Sequence, residues 1–276
     1  MSRLLCGVLA SRQAVAGTLI VLLFAGMALL ATELTSYEPS RQDLSADLQP
    51  PSRAHWCGRD KLGRDVLSRV VYGARVSLLV GVVVVGITGS IGLFIGAVAG
   101  YAGGRTDDVL MRLIDILLAF PGIVLAIDLS AVLGPSLRNV LLALSVIGWT
   151  GYARLVRGEV LAWREREFVA AAVALGAGPV RVVTRHILPQ LLAPLVVQAT
   201  FGMAGAIVAE ASLSFLGLGV QPPTPSWGAM LNEGRSFLLV APHVALFPGV
   251  ALTLTVFGLN LLGDGLREVL DVRGSD

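Results

Sequence analysis

REREFVAAAVALGAGPVRVVTRHILP, residues 164–189, is a polar, arginine-bearing island set between long apolar segments. Phe168, Ala171, Ala172 and Leu175 recur at i, i+3, i+4 and i+7, which predicts a helix carrying one small apolar stripe beside a charged start. Glu165 and Glu167 suit the positive end of its dipole, and Gly176 ends the pattern as a helix stop. Pro179 opens a second short helix, with Val180, Val183 and Ile187 on one side and Arg181 and Arg185 on another, and Pro189 closes it. An apolar stripe on a polar island is a docking face. Its rival is an interfacial helix pair that touches only lipid headgroups.

What surrounds the island is membrane sequence. Of 276 residues 55% are hydrophobic and only 14% charged, against about 25% charged in a soluble domain. Residues 14–31 form a first span, followed by a polar loop, residues 33–75. At the end of that loop Leu67, Val70, Val71 and Ala74 follow Asp65 at helical spacing, which predicts an amphipathic helix along the membrane surface. Further spans are expected at residues 78–98, 113–133 (interrupted at Pro121 and Gly122), 140–156, 191–213 and 244–262, with a turn at residues 101–112. Gly92 and Gly96 form a small-xxx-small pair in the second span. Ser226 reads as the N-cap of a short helix starting at Trp227.

Six spans place both termini on one side. The termini, residues 101–112 and residues 153–185 carry twelve of the 21 Lys and Arg residues, whereas the last two loops on the opposite side carry only Arg138 and Arg235. The positive-inside rule therefore puts the termini and the island in the cytoplasm. The first outer loop breaks the rule, with Arg41, Arg53, Arg59, Lys61, Arg64, Arg69 and Arg75. Within the spans, Asp128 and Glu210 are the candidates for a solute path, and Asp128 has the alternative of lying near the far interface.

Enzyme chemistry finds little support. Lys61, the only lysine, is followed by Leu62, so no phosphate loop of the G-x-x-x-x-G-K-[ST] type exists. His55, His186 and His243 are isolated. His55, Cys57 and Asp60 read as ordinary loop residues before they read as a soft-metal site, so neither a catalytic nor a metal centre is expected. No basic block suggests nucleic acid.

The island resembles the cytoplasmic loop of bacterial ABC importer permeases, through Ala171, Ala172, Gly176, Ile187, Leu188 and Pro189. The family's first acidic position falls on Ala170, a departure that concerns a polar contact only. Three more segments, HWCGRDKLGRDVLSRVVYGARVSL (residues 55–78), AEASLSFLGLGVQPPTPSWGAML (residues 209–231) and NLLGDGLREVLD (residues 260–271), look like the second permease subunit of the dipeptide, oligopeptide and nickel branch. Cys57 and Arg59 depart from that branch.

The resemblance implies an all-α integral membrane protein with six transmembrane helices in the type I importer permease fold. It implies an N-terminal unit, residues 1–75, and a permease core, residues 76–276. Residues 164–189 would be the coupling segment, with Glu167, Phe168, Ala171, Ala172, Leu175, Gly176, Arg181 and Arg185 facing an ATPase. It also implies two ATP-binding subunits that carry the ATP and magnesium, a homologous second permease, an extracytoplasmic binding protein and a bacterial inner-membrane location. The cargo implied is a di- or oligopeptide, with nickel or glutathione as alternatives.

Overall fold

A computed structural model describes residues 11–271. Regular structure among them is helical, apart from one isolated bridge between Arg59 and Asp65. Helix α1, Arg12–Leu29, starts where the Ser11 hydroxyl accepts from the Ala14 amide at 3.4 Å. Helix α2, Val66–Ala102, is 37 residues long and starts at an Asp65 cap. At 1.5 Å per residue it spans about 55 Å, well beyond a hydrocarbon core of roughly 30 Å.

That length corrects the expected surface helix. Residues 66–75 are the first turns of α2, not a separate element lying on the membrane. Val66, Val70, Val71 and Ala74 are buried there, and Val66, Val70 and Ala74 pack in one cluster with Trp227. Its indole donates to the Val70 carbonyl at 2.9 Å and meets Phe24 edge-on at 5.7 Å. The hydrophobic spacing was read correctly, but its partner is protein rather than lipid.

The expected turn at residues 101–112 is also shorter than its composition suggests. Only Gly103 separates α2 from α3, Gly104–Leu118, and both Gly103 and Gly104 lie at positive φ. Helix α4, Gly122–Leu133, follows a break at Pro121, and the α3–α4 pair is bent by 77°. Pro121 disfavours helix at the residue before it, so the third span is broken rather than straight. The polar face of α3 is tied to α5, Leu137–Arg164: Arg157 donates to both Asp107 oxygens at 2.5 and 2.6 Å, and Arg154 pairs with Asp115.

Helices α2 and α5 pack backbone to backbone. A side chain at Gly92 or Gly96 would strike Tyr152, Ala153 and Val156, so the small-xxx-small pair is an α2–α5 contact. After α5 come a short helix α6, Glu167–Ala174, then α7, Leu188–Phe215, α8, Trp227–Gly234, capped by Ser226 as expected, and α9, His243–Asp271. Five helical stretches are long and apolar enough to cross a membrane, and the bent pair makes a sixth.

Ser11 donates to Glu268 at 2.9 Å, so the start of α1 and the end of α9 meet at one end of the bundle. His243, at the start of α9, contacts the Arg59 carbonyl in the loop before α2. At the far end of α2, Arg164 at the end of α5 donates to the Tyr101 carbonyl. The start of α1, the end of α9 and residues 164–189 therefore share one end, and the loop of residues 33–65 lies at the other.

Candidate functional site: an apolar stripe at the terminal end

Helix α6 has one buried residue. Val169 is buried in a cluster with Val156, Val160, Val182, Ile187 and Leu191. Its neighbours turn outward: Phe168, Ala171 and Leu175 are exposed and Ala172 is half-buried, with Leu175 at 89%. The stripe read from the sequence thus survives folding as an uncovered apolar surface. Such a face on a short helix costs hydration free energy until something covers it. Glu167 lies in the first turn of α6, whereas Glu165 belongs to the end of α5, where it pairs with Arg164 at 3.3 Å.

The stop is built as a Schellman motif. Gly176 donates to the Val173 carbonyl at 2.9 Å and Ala177 to the Ala172 carbonyl at 3.0 Å. Gly176 sits at φ +86°, the left-handed region, with open space where a side chain would go.

The second half of the island differs from its sequence reading. Val182 and Ile187, five residues apart, are fully buried, while Val180 is exposed and Val183 only half-buried. Residues Val182–Ile187 form a π-helical turn, so the face that packs repeats at five residues and a 3.6-residue template selects the wrong set. Nor does Pro189 close the helix. The Leu188 amide donates to the Val183 carbonyl, and Pro189 falls in the first turn of α7, where a missing N–H is tolerated. The segment from Pro179 to Phe215 continues as one apolar stretch. Arg181 and Arg185 are exposed on it.

The two intramembrane acids do not come together at this site or at another. Asp128 is exposed on α4. Glu210 on α7 is fully buried and accepts from Ser214 at 2.6 Å. At the opposite end, His55, Cys57 and Asp60 do not converge: Arg59 donates to the ring of His55, whose other nitrogen faces Asp65 at 2.8 Å, and Asp60 is held by Arg64 and Arg69. Sequence reasoning missed Val169 as the anchor of α6 and Tyr152 as a residue packed among α2, α5 and α7. The isolated polar ring in an apolar span was a signal for the latter.

Residues 92–274 match the family described as the binding-protein-dependent transport system inner membrane component. The chain belongs to that permease family. Residues 9–51 also match the N-terminal transmembrane domain of oligopeptide transport permease C. The permease is 46% identical to a dipeptide transport system permease protein of Alkalihalophilus pseudofirmus, over 95% of this chain and 86% of that one. It is 44% identical to a probable D,D-dipeptide transport system permease protein of Escherichia coli, over 93% and 86% of the two chains. A glutathione transport system permease protein of Pectobacterium atrosepticum is 45% identical, over 94% and 86%. Among solved structures, an inward-facing MetNI methionine ABC transporter chain aligns with a TM-score of 0.61 and 21% identity, covering 74% of the permease and 97% of that chain. The fold is thus that of an ABC importer permease, all-α with up to six crossings.

Proposed function

We propose that this permease forms half of the translocation path of an ATP-driven importer of short peptides, and that α6 is the handle through which a partner ATPase moves it. One observation carries the reading: the apolar stripe Phe168, Ala171 and Leu175 stands exposed on a helix whose one buried residue is Val169 and which stops at Gly176. Glu167, Ala172, Arg181 and Arg185 complete the face offered to the ATPase, the charged residues at its rim and the apolar ones at its centre. Arg166 stacks on Trp163 at 5.5 Å and Trp163 meets Phe168 at 6.1 Å, which ties the stripe to the end of α5. A push on α6 is therefore delivered to α5, and through the π turn to α7.

The chain has no phosphate loop, so ATP and its magnesium belong to two separate ATP-binding subunits. A homologous second permease completes the path, and an extracytoplasmic binding protein delivers cargo. Both termini and α6 face the cytoplasm, in line with the arginine distribution. Peptide cargo is supported by the names of relatives that are 44–46% identical, two of them dipeptide permeases.

Co-purification and uptake test this. Tagged permease expressed with its neighbouring transport subunits is expected to bring down an ATP-binding protein, and vesicles holding the complex to accumulate labelled dipeptide only with ATP inside. Uptake driven by an ion gradient, with no ATPase bound, would overturn it. Competition by glutathione or by nickel chelates in the same vesicles decides between the cargo readings.

A further inference from the structure

Helices α2, α5 and α7 leave a cavity of about 270 Å3, bordered by Gly122 and Ile123 at the start of α4. Its wall carries no Asp, Glu, Lys, Arg or His; Thr88, Tyr152 and Gln198 are its polar side chains. Thr88 donates to the Val84 carbonyl at 2.7 Å and the Tyr152 hydroxyl to the Gln198 carbonyl at 3.3 Å. Asp128 and Glu210 lie outside the wall.

Two glycines of α7 beside this cavity behave in opposite ways. At Gly202 a side chain would collide with the Tyr152 hydroxyl, and Tyr152 also abuts Gly89 and Gly92, so its ring is wedged between α2 and α7. At Gly205 a side chain would meet nothing within 4 Å. A glycine in a helix interior costs about 1 kcal/mol relative to alanine, and packing explains that cost at Gly202 but not at Gly205. Gly205, Ile123 and Ala209 also line a second hollow of about 520 Å3, between α4, α7 and α9. These three residues are where the two hollows meet.

The geometry points to Gly205, with Ile123 and Ala209, as the aperture of this chain's half of the solute path, with Tyr152 as the positioning residue that holds α2 and α7 apart. The assignment rests on the importer reading and replaces Asp128 and Glu210 as its path residues. The neutral wall suits a cargo whose ends are oppositely charged, since a fixed charge would hold one end and slow its exit.

The test uses the whole complex with its ATPases and binding protein, assayed with radiolabelled alanyl-alanine. Gly205→Ala, Gly205→Leu and Gly205→Trp should all assemble and keep binding-protein-stimulated ATP hydrolysis. Uptake should fall stepwise with side-chain size, by about tenfold or more for Trp. Wild-type uptake by Gly205→Trp, or a parallel loss of ATP hydrolysis, would overturn the aperture. Absence of uptake by the unmodified complex would instead remove the importer reading beneath it. Gly205→Cys, in a Cys6→Ser, Cys57→Ser background, should react with a water-soluble methanethiosulfonate and be protected by the dipeptide. Reaction with membrane-soluble maleimide alone would place Gly205 against lipid and sink the proposal.

Discussion

The two ends of the bundle use arginine in opposite ways. At the end away from the termini, Arg64 and Arg69 are buried, sharing Asp60, which is fully buried, and Glu233, which lies on α8. Arg59 reaches Asp43 at 2.7 Å, and Arg75 donates to the carbonyls of Ala28 and Leu29. At the terminal end, Arg166, Arg181 and Arg185 are exposed around an uncovered apolar stripe. The first end is finished by its own side chains, and the second leaves these arginines and the stripe beside them uncovered. The difference also accounts for the loop that violates the positive-inside rule. Four of its arginines are consumed in internal contacts, Arg59 within the loop, Arg64 and Arg69 to α8, and Arg75 to α1, so counting them as topology signals misreads their role.

The contrast is broken most severely at Asp60. Asp60→Asn removes the carboxylate between two buried guanidinium groups and should destabilise by about 3–5 kcal/mol, because it leaves uncompensated buried charge. A large fall in the melting temperature of detergent-purified permease checks this. An unchanged melting curve would mean that the outer end is not locked by charge. Trp227→Ala at the same end is expected to cost a similar amount, about 3–5 kcal/mol, through the cavity left over α2.

At the open end function should suffer more than stability. Gly176→Glu forces a left-handed backbone on a residue with a Cβ, at roughly 1–2 kcal/mol, so the protein still inserts. Its long acid nevertheless sits on the docking face, and uptake should be lost while ATP hydrolysis becomes insensitive to binding protein. Normal transport by this variant would count against α6 as the handle. Leu175→Asp should leave the stability within about 0.5 kcal/mol of wild type, since the side chain is already solvated, yet weaken retention of the ATP-binding subunit on a sizing column.

How much of this was legible depended on what the sequence pattern had to distinguish. Span number, the exposed apolar stripe, the Gly176 stop and the Ser226 cap were readable because each follows from local chemistry: length, 3.6-residue spacing, positive φ and side-chain capping. The surface helix was misread because Val70 and Ala74 show the same periodicity whether lipid or Trp227 covers them. The π turn was hidden because an α-helical template pairs Ile187 with Val180 and Val183 and passes over Val182, and Pro189 looked like a stop when it stood at a start. The polar ring of Tyr152 in an apolar span was a signal that it packs, but neither the helices it wedges nor the burial of Glu210 could be read, since both depend on which helices are neighbours.

The smallest effect sharpens the same comparison through a single thiol. Cys57 lies in the closed outer end, half-buried against the cluster around Phe24, Val70 and Trp227. Burial, and to a lesser degree the Asp65 carboxylate, push its thiol up to about 11 from an ordinary value of 9.0. The thiolate is the reactive form, so iodoacetamide should label Cys57 slowly near pH 8, and the rate should keep climbing toward pH 11 instead of levelling off near 9. The linkage has a defined sign. A thiol whose folded value is raised contributes stability that is intact below the unfolded value near 9 and is lost as pH rises toward 11, because the unfolded chain sheds the proton first. Cys57→Ala should therefore flatten the alkaline limb of the stability curve without altering uptake at neutral pH. Rapid labelling at pH 8 would show that the outer end breathes, and that the asymmetry between a closed cap and an open docking face is weaker than its buried ion pairs suggest.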